Sequence, residues 1–74
     1  MNYEIHNVYF MVNDGWTKNT AEKWLKEHNY KIKKKDPHYK GDEIRYNQMP
    51  KQKFKQFFTK ILPNGVHLIF GVRK

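Results

Sequence analysis

The sequence predicts an α+β domain of two layers: a mostly antiparallel sheet of about four strands with one amphipathic helix packed on one face, in the order β-α-β-β-β. Three observations carry this. Residues 5–12 alternate, with Val8, Phe10 and Val12 on one side and Tyr9 and Met11 on the other. Ala21, Trp24, Leu25 and His28 fall at helical spacing, while Lys18, Lys23, Lys26 and Glu27 face away. Two further runs, residues 57–62 and 66–73, flank Pro63-Asn64-Gly65, and Asn-Gly is a strong hairpin signal.

Taken in order, the first strand ends at Asn13-Asp14-Gly15. The helix has two candidate starts: Thr17, with Trp16 before it as a staple, or Asn19, with Glu22 three residues on as a capping box. Periodicity then vanishes between Tyr30 and Asp42, so residues 31–42 read as a basic loop. Residues 43–49 alternate again, Ile44 and Tyr46 against Arg45 and Asn47, until Pro50 stops the strand. Residues 51–56 suit a single helical turn. With Asn64-Gly65 as a two-residue loop, Pro63 pairs with Val66, Ile61 with Leu68, Thr59 with Phe70 and Phe57 with Val72. That register makes these pairs the core face and sends Phe58, Lys60, Leu62, His67, Ile69 and Arg73 to the other. A slip of one residue is expected to bury Lys60 and Arg73.

Seventy-four residues make one domain, 1–74, near the lower size limit for a self-sufficient core. Without cysteine there is no disulfide, thiolate metal site or thiol nucleophile. The first residues show no basic and apolar leader, no apolar run is long enough for a membrane span, and residue 2 is Asn, so neither a membrane span nor myristoylation is expected. The expectation is an intracellular protein without a secretion signal.

Charge is the strongest functional signal. The formal net charge is +8, and residues 31–60 hold ten Lys and Arg against three acids, whereas residues 1–30 hold three against four. A segment of that kind suits a polyanion, because ammonium groups displace condensed counterions from nucleic acid without reading its sequence. The candidate phosphate contacts are Lys31, Lys33, Lys34, Lys35, Lys40, Lys51, Lys53, Lys55 and Lys60, with directional bonds from Arg45 and Arg73. On the expected sheet face Phe58 and Tyr9 could stack bases beside Arg45, Lys60, His67 and Arg73. Two other readings compete: a solvated charge run that keeps the chain soluble, and a patch of Phe58, Leu62, Ile69 and Met11 covered by a second copy or another protein.

Trp16-Thr17, Ala21, Trp24-Leu25-Lys26-Glu27-His28, Arg45-Tyr46-Asn47-Gln48, Phe54, Thr59-Lys60 and the run from Asn64-Gly65-Val66 to Gly71 resemble a small viral module. It is found in or beside tailed-phage prohead-protease genes and as stand-alone proteins of large DNA viruses. The resemblance covers roughly Val8 to Gly71. The chain departs from the module in Phe58, where a basic residue is expected, and in the long Lys33-Lys34-Lys35 run. It implies a compact α+β accessory protein of viral origin, and it carries over no protease nucleophile.

Other chemistry finds little support. There is no Ser or Cys, Thr17 and Thr20 suit a helix cap, and the seven carboxylates are scattered, so no enzyme is expected. His6, His28, His38 and His67 lack zinc spacing, although His28 and His38 with Asp36 form a conceivable set; no metal is expected. Gly15, Gly41, Gly65 and Gly71 never cluster into a phosphate loop, so no cofactor is expected either. The reading is a non-enzymatic, sequence-nonspecific nucleic-acid-binding protein. The alternative is a protein-protein interaction module, a virion component or an inhibitor of a host factor, whose basic loop meets an acidic protein surface. A homodimer is compatible with either.

Overall fold

The computed structural model describes residues 3–74. Met1 and Asn2, on which the myristoylation argument rests, lie outside the described residues. The elements are β1 (Tyr3–Met11), a 3₁₀ turn (Val12–Asp14), α1 (Lys18–Glu27), β2 (His38–Lys40), β3 (Glu43–Asn47), a second 3₁₀ turn (Lys51–Lys53), β4 (Phe54–Ile61) and β5 (Val66–Arg73). The strands form one antiparallel sheet in the order β2-β3-β1-β5-β4. The α+β class stands, with five strands instead of about four. The extra strand, β2, lies inside the segment read as a loop. Its three residues are all exposed, so no apolar alternation marks it.

Thr17, and not Asn19, caps α1: its hydroxyl accepts from the Thr20 amide, and the Thr20 hydroxyl accepts from the Thr17 amide. The helix turns Ala21 and Leu25 onto Val8 and Phe10 of β1, Ile44 and Tyr46 of β3, and Val66 of β5, all buried. Trp16 and Trp24 close the sides of this core, with ring centroids 5.0 and 5.7 Å from Phe10. Trp16 Nε1–H also donates to the Asn64 carbonyl at 2.7 Å, which fastens the start of the helix to the β4–β5 turn. The core under α1 therefore draws on β1, β3 and β5, and β4 lies beyond it at the sheet edge.

The hairpin register differs from expectation by one residue. Phe58 pairs with Phe70, Thr59 with Ile69, Lys60 with Leu68 and Ile61 with His67. The cause is Pro63. A two-residue loop needs the residue opposite Val66 to donate an amide across the ladder, and proline has none. Leu62 does so instead, at 2.8 Å to the Val66 carbonyl, while the Gly65 amide donates to the Leu62 carbonyl and Gly65 takes a φ of 83°. The loop is thus three residues long, with proline early in the turn and glycine in the left-handed position.

As a result β4 is turned over relative to β5. Gln56, Phe58, Lys60 and Leu62 share the helix side with Leu68, Phe70 and Val72, and Phe57, Thr59 and Ile61 point to the outer side with His67, Ile69 and Gly71. The slip does not bury Lys60 or Arg73, because nothing packs over that edge; both remain exposed. The outer face holds a small cluster of its own, in which Phe54 is buried over Gly71 and the His6 ring sits 4.9 Å from that of Phe57. Gly71 is a close-packing position, opposite Phe57 and beneath the Phe54 ring.

Candidate nucleic-acid interface

The topology gathers positive charge at one end of the sheet. β1 begins there, β3 and β5 end there, and β4 begins there. The connection from β3 to β4 crosses the ends of the two intervening strands, held by amides of Gln48 and Met49 that donate to the His6 carbonyl and by the Lys74 amide on the Lys53 carbonyl. That path brings Lys51, Lys53 and Lys55 to the pole where Arg73 and Lys74 end the chain.

The basic loop reaches the same pole through Gln48. Gln48 is 8% exposed, and its side chain spans the Lys31 backbone like a strand partner: Oε1 accepts from the Lys31 amide and Nε2 donates to the Lys31 carbonyl, both at 2.8 Å. Asp36 shapes the next turn. Its Oδ2 accepts from the Lys33 amide at 3.2 Å, and its own amide donates to the Lys33 carbonyl at 3.0 Å. Lys34 and Lys35 are thereby held at the outside of a closed turn, and Lys33 Nζ donates to Asn47 Oδ1 at 2.9 Å. His6 completes the anchoring, since Nδ1–H donates to the Met49 carbonyl at 2.7 Å from the bulge that interrupts β1 between Ile5 and Asn7.

Electrostatically the pole is one-sided. Its acids are Glu4, which holds Arg73 at 2.7 and 3.3 Å, and Asp36, whose side chain is only 1% exposed and spent on backbone amides. The guanidinium beside it keeps the Glu4 carboxyl below the usual carboxylate range, and Glu4 in turn raises Arg73. All thirteen lysines of the chain are exposed, and among the described residues none lies in an ion pair.

Of the expected contacts, Lys31, Lys33, Lys34, Lys35, Lys51, Lys53, Lys55 and Arg73 meet at this pole, and Lys74 joins them. The remainder are dispersed. Arg45 is taken up by Glu43 and lies 4.3 Å over the Tyr9 ring on the outer face. Lys40 pairs across β2–β3 with Glu43 toward the opposite pole, beside a shallow cleft that also carries Asp14 and Asp42. His67 lies opposite Tyr9. The single face expected to unite Phe58, Tyr9, Lys60, His67 and Arg73 does not form. Phe58 and Lys60 are on the helix side, and Tyr9, Arg45, His67 and Arg73 are on the other. The same slip splits the expected apolar patch, leaving Phe58 and Leu62 on one side and Ile69 and Met11 on the other.

Gln48 and Asp36 carry no charge pattern or motif that marks them as organising residues, because their partners are backbone groups of a distant loop. Chemically the pole offers lysine ammonium donors, while the Arg73 guanidinium is engaged by Glu4. Among the described residues no three His, Asp or Glu side chains gather as metal ligands, and no helix is long and apolar enough to cross a membrane. His28 Nδ1 bonds the Trp24 carbonyl at the helix end, away from His38, which approaches Asp36 at 3.9 Å. No protein-family model, curated protein or solved structure matches the chain.

Proposed function

We propose that the chain is a non-enzymatic protein that binds nucleic acid without sequence specificity, with the basic pole as its phosphate-contacting surface. The observation that carries this reading is the collection of Lys31, Lys33, Lys34, Lys35, Lys51, Lys53, Lys55, Arg73 and Lys74 at one end of the sheet, against two acids that are already engaged. Lysine ammonium groups on exposed stems contact phosphates as point charges and carry no base readout. The role fits the viral accessory class that the sequence resembles, acting in the host cell or the virion. A second reading, a protein-interaction module that meets an acidic surface, is favoured by Phe57 and Ile61, which stand exposed on the outer side of β4.

Fluorescence anisotropy with labelled single-stranded and duplex oligonucleotides of mixed sequence tests the proposal. If about six phosphates are neutralised, duplex affinity falls on the order of a thousandfold between 50 and 200 mM salt, alike for all sequences. No binding to either probe at 50 mM salt refutes it.

A further inference from the structure

We infer that the aromatic cluster of Tyr3, Phe58 and Phe70 is a stacking platform for unpaired bases, so that the nucleic acid bound at the basic pole is single-stranded. This rests on the proposed function. α1 is ten residues long, a rod of about 15 Å, and its core lies over β1, β3 and the start of β5. The sheet continues past it on the same side, and there the three rings meet in the open. Phe58 stacks on Phe70 across the strand pair at 5.1 Å and 14°, and Tyr3 stands edge-on to both, at 5.6 and 5.5 Å. Phe70 backs Phe58 and Tyr3 meets its side, yet Phe58 stays 44% and Tyr3 49% exposed.

A flat ring supported from behind and open in front is what a base needs, since every base has a π face and stacking is tolerant of sequence. The charge around the cluster matches a strand of phosphates. Tyr3 sits at the start of β1, at the basic pole itself, with Lys53 close enough to lower the neighbouring Glu4 carboxyl. Lys60 lies two residues beyond Phe58 on the same side, about 7 Å along the strand. The strand residues of that side, Tyr3, Ile5, Gln56, Phe58, Lys60, Phe70 and Val72, include no acid. A second copy of the chain fits less well, because two edges bearing Lys55 and Lys60 on chains of net charge +8 repel each other. Duplex nucleic acid gains nothing from the platform, its bases being stacked already.

Labelled dT12, U12 and a 20-base-pair duplex, titrated at 50 mM salt with the wild type and with Phe58→Ala, Phe58→Leu and Phe58→Tyr, separate the outcomes. Phe58→Ala and Phe58→Leu are expected to weaken dT12 and U12 about five- to a hundredfold with the salt slope unchanged, to leave the duplex within about twofold, and Phe58→Tyr to restore the wild-type value. A DNA preference or an RNA preference appears as the ratio of the dT12 to the U12 arm. Aromatic NMR of the wild type gives a readout that no variant's folding affects. The Phe58 and Tyr3 ring signals should move with dT12 and stay fixed with polyphosphate, a polyanion without bases. Equal binding of all probes with fixed ring signals overturns the platform and leaves the proposed function standing. Absence of binding to every probe overturns both. A dimer by light scattering that Phe58→Ala disperses assigns the cluster to self-association and overturns the inference.

Discussion

Replacing Gln48 by Leu removes the buried side chain that pins the Lys31 backbone to the sheet while keeping its volume in the core. Two hydrogen bonds of 2.8 Å disappear, one to the amide and one to the carbonyl of Lys31. Each is worth about 0.5–1.5 kcal/mol net, and since Lys31 is exposed its backbone groups can recover water, so the loss is about 1–3 kcal/mol in all. At about 4–8 °C per kcal/mol for a domain of this size, the melting temperature should fall by about 10 °C. Amide exchange across residues 31–36 should accelerate more than in β1 or β5, because the loop detaches before the sheet opens. Gln48→Glu supplies an internal control. Its carboxylate can accept from the Lys31 amide but faces the Lys31 carbonyl with an oxygen, so it is destabilised at neutral pH. Once protonated it can accept and donate, so its deficit should shrink as the pH falls through the carboxylate range. A Gln48→Leu protein that melts within about 2 °C of the wild type, with the Lys31 amide equally protected, refutes the account of Gln48 as the anchor of the pole.

Three further outcomes follow from named contacts. Glutamine at Lys33, Lys34 and Lys35 together should flatten the slope of log affinity against log salt by about 2 for a single strand if all three meet phosphates, with circular dichroism unchanged. Gly71→Ala places a methyl within the Phe54 ring and should cost about 1–3 kcal/mol in denaturant titration, with β4 the first element to lose amide protection. Burial, the Glu22 charge and the bond to Glu22 raise the Tyr46 hydroxyl well above its ordinary pKa, so the unfolded chain ionises it near pH 10 while the folded chain keeps it neutral. Its contribution is complete below pH 10 and declines above it by about 1.4 kcal/mol per pH unit; chemical melts of Tyr46→Phe should show a shallower alkaline loss than the wild type.

The sequence was most readable where one physical requirement dominated. Ala21, Leu25, Val8 and Phe10 had no alternative to burial, and the helix and the first strand follow from their periods. The hairpin's place is legible but its register is not, because Asn64-Gly65 signals a two-residue loop while Pro63, having no amide, cannot close the ladder beside it. β2 was not readable, since His38, Tyr39 and Lys40 are held by backbone pairing to β3 and not by a buried face. For the site, charge composition marks most of the cations at the pole but marks Lys40, Arg45, Lys60 and His67 equally, which lie elsewhere, and leaves out Lys74. It could not identify Gln48, Asp36 or His6, whose effect depends on which distant backbone groups topology brings beside them.

The register slip also changes what the surface can do. In the expected register the aromatic ring and the cations share one face with His67 and Arg73, so stacking and phosphate contact occupy a single flat surface. In the observed one, Arg73 and Arg45 are on the outer side and each is held by a carboxylate, at Glu4 and Glu43. The guanidinium groups, which could bond phosphates in pairs, are thus already committed, and the free cations are lysines around the rim. Directional recognition is weakened while long-range attraction is kept, which is the balance expected of a protein that holds nucleic acid without selecting its sequence. Phe58 is left facing the helix side beside Lys60, close to the pole but not in it. Under the proposed function, affinity from charge and preference for open bases are assigned to different residues, and variants at Lys33–Lys35 and at Phe58 should separate them.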